Sequence, residues 1–271
     1  MELPTFDPSE IRFNTPWRRM ATAIYARPVD GKISGFVNID FRPCQEAITK
    51  WAEEGHRVTP THIMMAIMAR VLGRHVPELN CYARWGSVHH RGDVTIATAV
   101  LVGKELTTLK IANADKKSIL ELADEVNAGV SKRREGKDTA MKKRNGGLAK
   151  LPWPFRQWIF SFIRWLTYEA RITIPGLGIN NNMFGSMLVT NIGPLGLDNG
   201  FPALMPASNL ALVIGIGKVA LKPMVVDGQV VAIPALPVTG TFDHRVCDGS
   251  HIGRFGHALH HYMANPYELL E

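Results

Sequence analysis

The sequence predicts an α/β fold in which helices flank a mixed β-sheet. Three observations predict it. Helical and strand-like patterns alternate through the first half of the chain, from Thr15 to Arg134. From Arg171 on the pattern turns β-rich, with apolar runs set off by Gly, Pro and Asp-Gly turns. The 271 residues are 46% hydrophobic and 20% charged, which suits one soluble globular body with a substantial core. No internal repeat and no low-complexity linker divides the chain, so residues 1–271 read as a single domain.

The elements follow in order. A first helix is expected near "TPWRRMATAIYA", with Thr15 as cap and Pro16 in its first turn. "GFVNIDF" alternates as a strand, with Val37, Ile39 and Phe41 on one side and Phe36, Asn38 and Asp40 on the other. A helix follows to about Glu54. "VTPTHIMMAIMARVLGRH" opens with a Thr59 cap and Pro60 and is apolar almost all round, which predicts a buried core helix. "DVTIATAVLV" and "ELTTLKI" read as two strands joined by a tight Gly103-Lys104 turn. "KKSILELADEVNAGVSKRR" is amphipathic, with Ile119, Leu122, Ala123 and Val126 on one face.

Lys132 to Arg144 holds seven basic and two acidic residues and reads first as a solvated helix end and loop, closed by "NGG" at 145–147. "LPWPFRQWIFSFIRWLTY" contains Trp153, Trp158 and Trp165, half of the six tryptophans. Gln157, Ser161, Arg164 and Tyr168 fall at helical spacing as a narrow polar stripe. The segment is either a helix buried against the body or a neighbouring subunit, or a surface helix for a membrane or a partner; burial is the commoner fate of such stripes and is expected.

Beyond it, "SMLVTNIGPLGLD" reads as a strand and turn, and "NLALVIGIGKV" as a long apolar strand. "PMVVDGQVVAIP" is a hairpin turning at Asp227-Gly228, and "ALPVTGTFDHR" is a further strand. "SHIGRFGHALHHYMANP" closes the chain as a helix capped by Ser250.

Bulk composition narrows the function classes. The net charge of +7 admits an anionic partner, such as a phosphate-bearing substrate or a membrane surface, but no nucleic-acid recognition motif accompanies it. Cys44, Cys81 and Cys247 are far apart and form no CxxC pair, as expected for reduced thiols in a cytoplasmic protein. The N-terminus has no secretory signal pattern, and no stretch is long and apolar enough to span a bilayer.

The candidate site is "TGTFDHRVCDGSHIGRF". His244 lies where an apolar strand leaves the sheet, with Asp248 and Gly249 just beyond. Metal ligation is a weak reading: His257 and His261 stand four apart but without the glutamate of a metalloprotease helix, so no metal is expected. A histidine bonded to backbone and a general base are the other two readings. A base on a rigid strand end, with Asp248 steadying the loop and Gly249 permitting an unusual backbone, suits proton abstraction. Spacing alone leaves these two open.

The residues carry a resemblance. "FDHRVCDGSHIGRF" resembles the His-x-x-x-Asp-Gly signature of 2-oxoacid dehydrogenase acyltransferase (E2) catalytic domains and of chloramphenicol acetyltransferases. "SMLVTNIGPLG", "VTPTHIMMAIMARVLGRHVPELN" and "IANADKKSILELADEV" resemble E2 segments in the same order. The resemblance covers roughly Thr15 to Glu271, with a gap near Arg144 to Asn182.

It implies a chloramphenicol acetyltransferase-like fold, assembled as a homotrimer with each site between two subunits, and larger cages in some members. It implies coenzyme A-dependent acyl transfer, with acyl-CoA and a lipoyl group supplied in trans as substrates. His244 would take the proton of a thiol, and Thr190, where the family usually has serine, would stabilise the oxyanion. Asp248 would hold the loop through a charge pair with Arg18, or failing that Arg19, and Asn191 would support the site.

The chain departs from E2 proteins in an aromatic-rich insert at about 145–182 and in having no lipoyl or subunit-binding domain. The insert favours a free-standing acyltransferase. A catalytically weak scaffold built on the same trimer is the alternative, and peripheral membrane attachment through 151–168 is compatible with either.

Overall fold

The computed structural model describes residues 31–102, 105–134, 153–174, 180–204 and 208–271. The expected first helix with Thr15 and Pro16, the Gly103-Lys104 turn, "NGG", and all but the start of the basic run fall outside them.

Seven strands form one sheet. They are β1 (Lys32–Asp40), β4 (Ile96–Val102), β5 (Glu105–Ile111), β6 (Met187–Asn191), β7 (Leu212–Ile216), β8 (Ala220–Val226) and β9 (Gln229–Asp243). The order is β1-β9-β7-β6-β4-β5, with β8 also paired to β9; β4-β6 and β6-β7 are parallel and the other pairs antiparallel. The expected mixed sheet is therefore present. A separate hairpin joins β2 (Cys81–Arg84) to β3 (Ser87–His90).

Among the described residues the α-helices are α1 (Arg42–Glu53), α2 (Pro60–Arg70), α3 (Ile119–Arg134), α4 (Trp153–Tyr168) and α5 (Gly249–Ala264). The Thr59 hydroxyl caps α2 by accepting from His62 N at 3.4 Å, and every residue from His62 to Arg70 is buried, as an all-round apolar helix requires. The buried Arg70 guanidinium donates from Nη1 to the Asp115 carbonyl at 2.7 Å and from Nη2 to the Lys117 carbonyl at 2.8 Å. Burial pushes the His62 imidazole down to about 4, so it rests neutral in the core. In α1, burial pushes the Cys44 thiol up to about 12; its Sγ lies 3.3 Å from the Met263 carbonyl and ties α1 to α5.

One expectation about the strands is corrected. "PMVVDGQVVAIP" and "ALPVTGTFDHR" are not separate strands after the hairpin, because β9 runs unbroken through Pro234 and Pro237. On one edge its partner changes from β8, ending at Ala235, to β7, beginning at Val238, so Pro237 falls between them there, while on the other edge it lies opposite Asn38 of β1. Both prolines give up an N–H but keep their carbonyls bonded, to Phe41 N and Gly217 N at 2.9 Å each. The Asp227-Gly228 turn is as expected, with φ of 50° and 79°.

In α4, Tyr168 is buried, whereas Phe155, Trp158, Phe162 and Trp165 are exposed. The body of the same chain does not cover these rings, so of the expected readings a neighbouring subunit, a membrane or a partner remains.

Candidate active site

Asp243 ends β9, with its N–H bonded to Ala211 O at 2.8 Å, and the chain then folds into a tight turn. The Asp243 carbonyl accepts from Val246 N at 3.0 Å and Cys247 N at 3.2 Å. Its carboxylate accepts from Arg245 N at 3.0 Å and grips the Arg245 guanidinium through Nε at 3.0 Å and Nη2 at 2.6 Å. Both side chains are nearly buried, at 5% and 7% exposure. Burial opposes the guanidinium charge, but the Asp243 carboxylate outweighs it and holds the Arg245 pKa above its ordinary value. The Tyr168 hydroxyl at the end of α4 accepts from Arg245 Nη2 at 2.6 Å.

His244 sits between these two locked residues. It is half-buried, and its own N–H donates to Gly31 O at 2.7 Å. Its backbone is thus held from both sides, which gives the imidazole a fixed origin. That is the pre-organisation a general base needs.

Asp248 is the N-cap of α5: Oδ1 accepts from Ser250 N at 3.0 Å and from Ser250 Oγ at 2.7 Å, and His251 Nδ1 accepts from Asp248 N at 3.3 Å. The expected cap, Ser250, is therefore the second residue inside the helix. Gly249 opens the helix; its φ is not among the positive ones, so no left-handed conformation requires glycine there.

Thr190 lies half-buried in β6, away from this turn. Pairing sets Thr190 opposite Gly215 and Gly215 opposite Thr239, so Thr190 is level with Thr239 two strands from it. His244 is five residues farther along. Strand geometry then separates Thr190 and His244 by roughly 19 Å within one chain. Asn191 pins the turn after Thr190, donating to Thr61 Oγ1 at 2.9 Å and accepting from Gly193 N at 2.9 Å. The following loop packs so closely that a Cβ on Gly217 would collide with Asp198 O.

The structure thus brings His244 and Asp248 to one turn and Thr190 and Asn191 to another. Arg18 and Arg19 lie outside the described residues. Asp243 and Arg245 were not singled out in the sequence, and Tyr168 stood out only as part of a polar stripe. The acid and base flanking His244 at a strand end were a usable signal for the first two. Nothing local linked Tyr168 to Arg245, which is 77 residues away. Among the described residues no group of three or more His, Cys, Asp or Glu is placed to hold a metal ion.

Comparison with known proteins bears on this geometry. The family model described as 2-oxoacid dehydrogenases acyltransferase (catalytic domain) matches residues 33–148 and 177–271. The residues it leaves between those segments include all of α4. A dihydrolipoyllysine-residue acetyltransferase component of the pyruvate dehydrogenase complex from Staphylococcus epidermidis is 27% identical over 201 residues, covering 73% of this chain and 37% of the relative. The corresponding component of the Bacillus subtilis acetoin cleaving system is 25% identical over 228 residues, covering 83% and 47%. The chain therefore spans less than half the length of these relatives.

Among solved structures, a probable dihydrolipoamide acetyltransferase from Listeria monocytogenes matches with a TM-score of 0.63 at 18% identity, covering 94% of each chain. The Azotobacter vinelandii dihydrolipoamide acetyltransferase matches at 0.62 and 19%, covering 94% and 88%. A chloramphenicol acetyltransferase matches at 0.55 and 12%, covering 95% and 96%. These likenesses establish the expected chloramphenicol acetyltransferase-like fold.

Proposed function

Because the chain belongs to the family of 2-oxoacid dehydrogenase acyltransferase catalytic domains, we propose that it transfers an acyl group between a coenzyme A thioester and a second thiol, with His244 as general base. The observation that carries this reading is the turn at the end of β9. There Asp243, Arg245 and Tyr168 lock the residues on either side of His244 at the end of β9. The second thiol is read as that of a lipoyl group on another protein, since the relatives are named for transfer at a dihydrolipoyllysine residue.

The chemistry follows from ordinary acidities. A thiol is mostly protonated near neutrality, so a fixed imidazole that accepts its proton raises the thiolate fraction. The thiolate attacks the thioester carbonyl, and the carbonyl electron pair moves to oxygen. A hydroxyl donor to that oxyanion lowers the barrier by about 3 kcal/mol. Collapse expels the other thiolate, which takes back the proton from the imidazolium.

The hydroxyl assigned to this task is Thr190 of a neighbouring copy. Its separation from His244 within one chain argues for a site shared between subunits of a homotrimer. Exposed Leu195, Leu197 and Phe201, on the loop that follows Thr190, give that edge an apolar surface suited to a second copy.

The test is acyl transfer from acetyl-CoA to dihydrolipoamide, with assembly followed by sedimentation. His244→Ala is expected to keep the trimer and lose about 10²–10⁴-fold in kcat. Equal rates in the two proteins would overturn the base assignment. A trimer that neither binds nor turns over coenzyme A would favour the scaffold alternative.

A further inference from the structure

We propose that α4 is an interfacial helix whose aromatic row seats on an anionic phospholipid surface. Phe155, Trp158, Phe162 and Trp165 are 55%, 67%, 60% and 49% exposed. Their spacing of three, four and three residues puts them on one face of the helix. Phe155 stands edge-on to Trp158 with ring centroids 5.8 Å apart, and Phe162 stacks with Trp165 at 6.1 Å. Together they present on the order of 400–500 Å² of aromatic surface, the size of patch that marks an interaction site.

The helix sorts its apolar side chains by kind. Ile159, Ile163 and Leu166 are half-buried, while the exposed row is wholly Phe and Trp. Aromatic rings, and tryptophan above all, favour the headgroup level of a bilayer, where the ring is apolar and the indole N–H stays wet. Sixteen residues make a rod of about 24 Å, which lies along a surface. Among the described residues no helix is long and apolar enough to cross a membrane.

Charge selects the occupant. From Thr139 to Tyr168 the sequence has no Asp or Glu and six basic residues: Lys142, Lys143, Arg144, Lys150, Arg156 and Arg164. A second copy would bring the same basic run, with no carboxylate in it to offset the charge. An anionic bilayer complements it, at about 1 kcal/mol per base near the surface. The proposal does not depend on the acyl-transfer reading.

The test is co-sedimentation of the intact protein with phosphatidylcholine vesicles, with and without about a third phosphatidylglycerol. The wild type is expected to bind the anionic vesicles at least roughly tenfold better than the neutral ones, less so at high salt, with a blue shift in tryptophan fluorescence. The double variant Trp158→Ala/Trp165→Ala changes only exposed rings; it should fold as the wild type does, confirmed by its circular dichroism, and lose roughly tenfold or more of that binding. No vesicle binding by the wild type, or binding indifferent to the double variant, would overturn the proposal. So would self-association without lipid that the double variant abolishes, which would give the face to a second copy.

Discussion

The helices α4 and α5 are both sixteen residues long and both amphipathic, yet they treat their aromatic residues in opposite ways. In α5, Phe255, Ala258, Leu259, Tyr262 and Met263 recur at helical spacing and are all buried. Phe255 meets Phe242 of β9 edge-to-face at 5.4 Å, and Tyr262 reaches His75 Nε2 at 2.9 Å. In α4 the aromatic row faces outward, and its C-terminal end is anchored where Tyr168 holds Arg245 and Glu169 accepts from Trp85 N at 3.0 Å. Periodicity tells that a helix has an apolar face. It does not tell what covers it, because that depends on which surface the rest of the chain supplies.

Three substitutions sharpen this contrast. The largest effect is expected from Phe255→Ala, which should cost about 3–5 kcal/mol in denaturant unfolding, since it opens a cavity between α5 and the sheet. Tyr168→Phe should come next. Losing a hydrogen bond to a charged group costs about 1.5–3 kcal/mol. Because that bond steadies the turn carrying His244, kcat should fall while KM for acyl-CoA holds. A loss of stability with unchanged kcat would make Tyr168 a fastener of the insert alone. The smallest effect belongs to Phe162→Ala, expected within about 0.5 kcal/mol of wild type in the same unfolding experiment. A cost near that of Phe255→Ala would mean that the α4 face is covered after all.

The same contrast explains what the sequence could and could not disclose. Features written in adjacent residues were legible: the Thr59-Pro60 helix start, the Asp227-Gly228 hairpin and the strand leading to His244. Each rests on local backbone chemistry. The helix cap was misplaced by two residues because Asp248 and Ser250 are both good caps, and only the geometry picks Asp248. The continuity of β9 was hidden by prolines at its change of partner. The part played by Tyr168 was out of reach, since it depends on a fold that returns the insert to the sheet's end. The pairing of Thr190 with His244 came from family resemblance, and one chain's strand register argues that it needs two.

That shared site is the central claim, and subunit mixing tests it most directly. His244→Ala and Thr190→Ala subunits, each impaired alone, would be co-assembled from denaturant or by co-expression. If each site takes His244 from one subunit and Thr190 from the next, about a quarter of the sites in randomly mixed trimers regain both groups. Activity should then rise far above that of either parent, towards that fraction of wild type. A mixture no more active than the average of its two parents would place both residues in one chain's site, or outside any site, and would contradict the account.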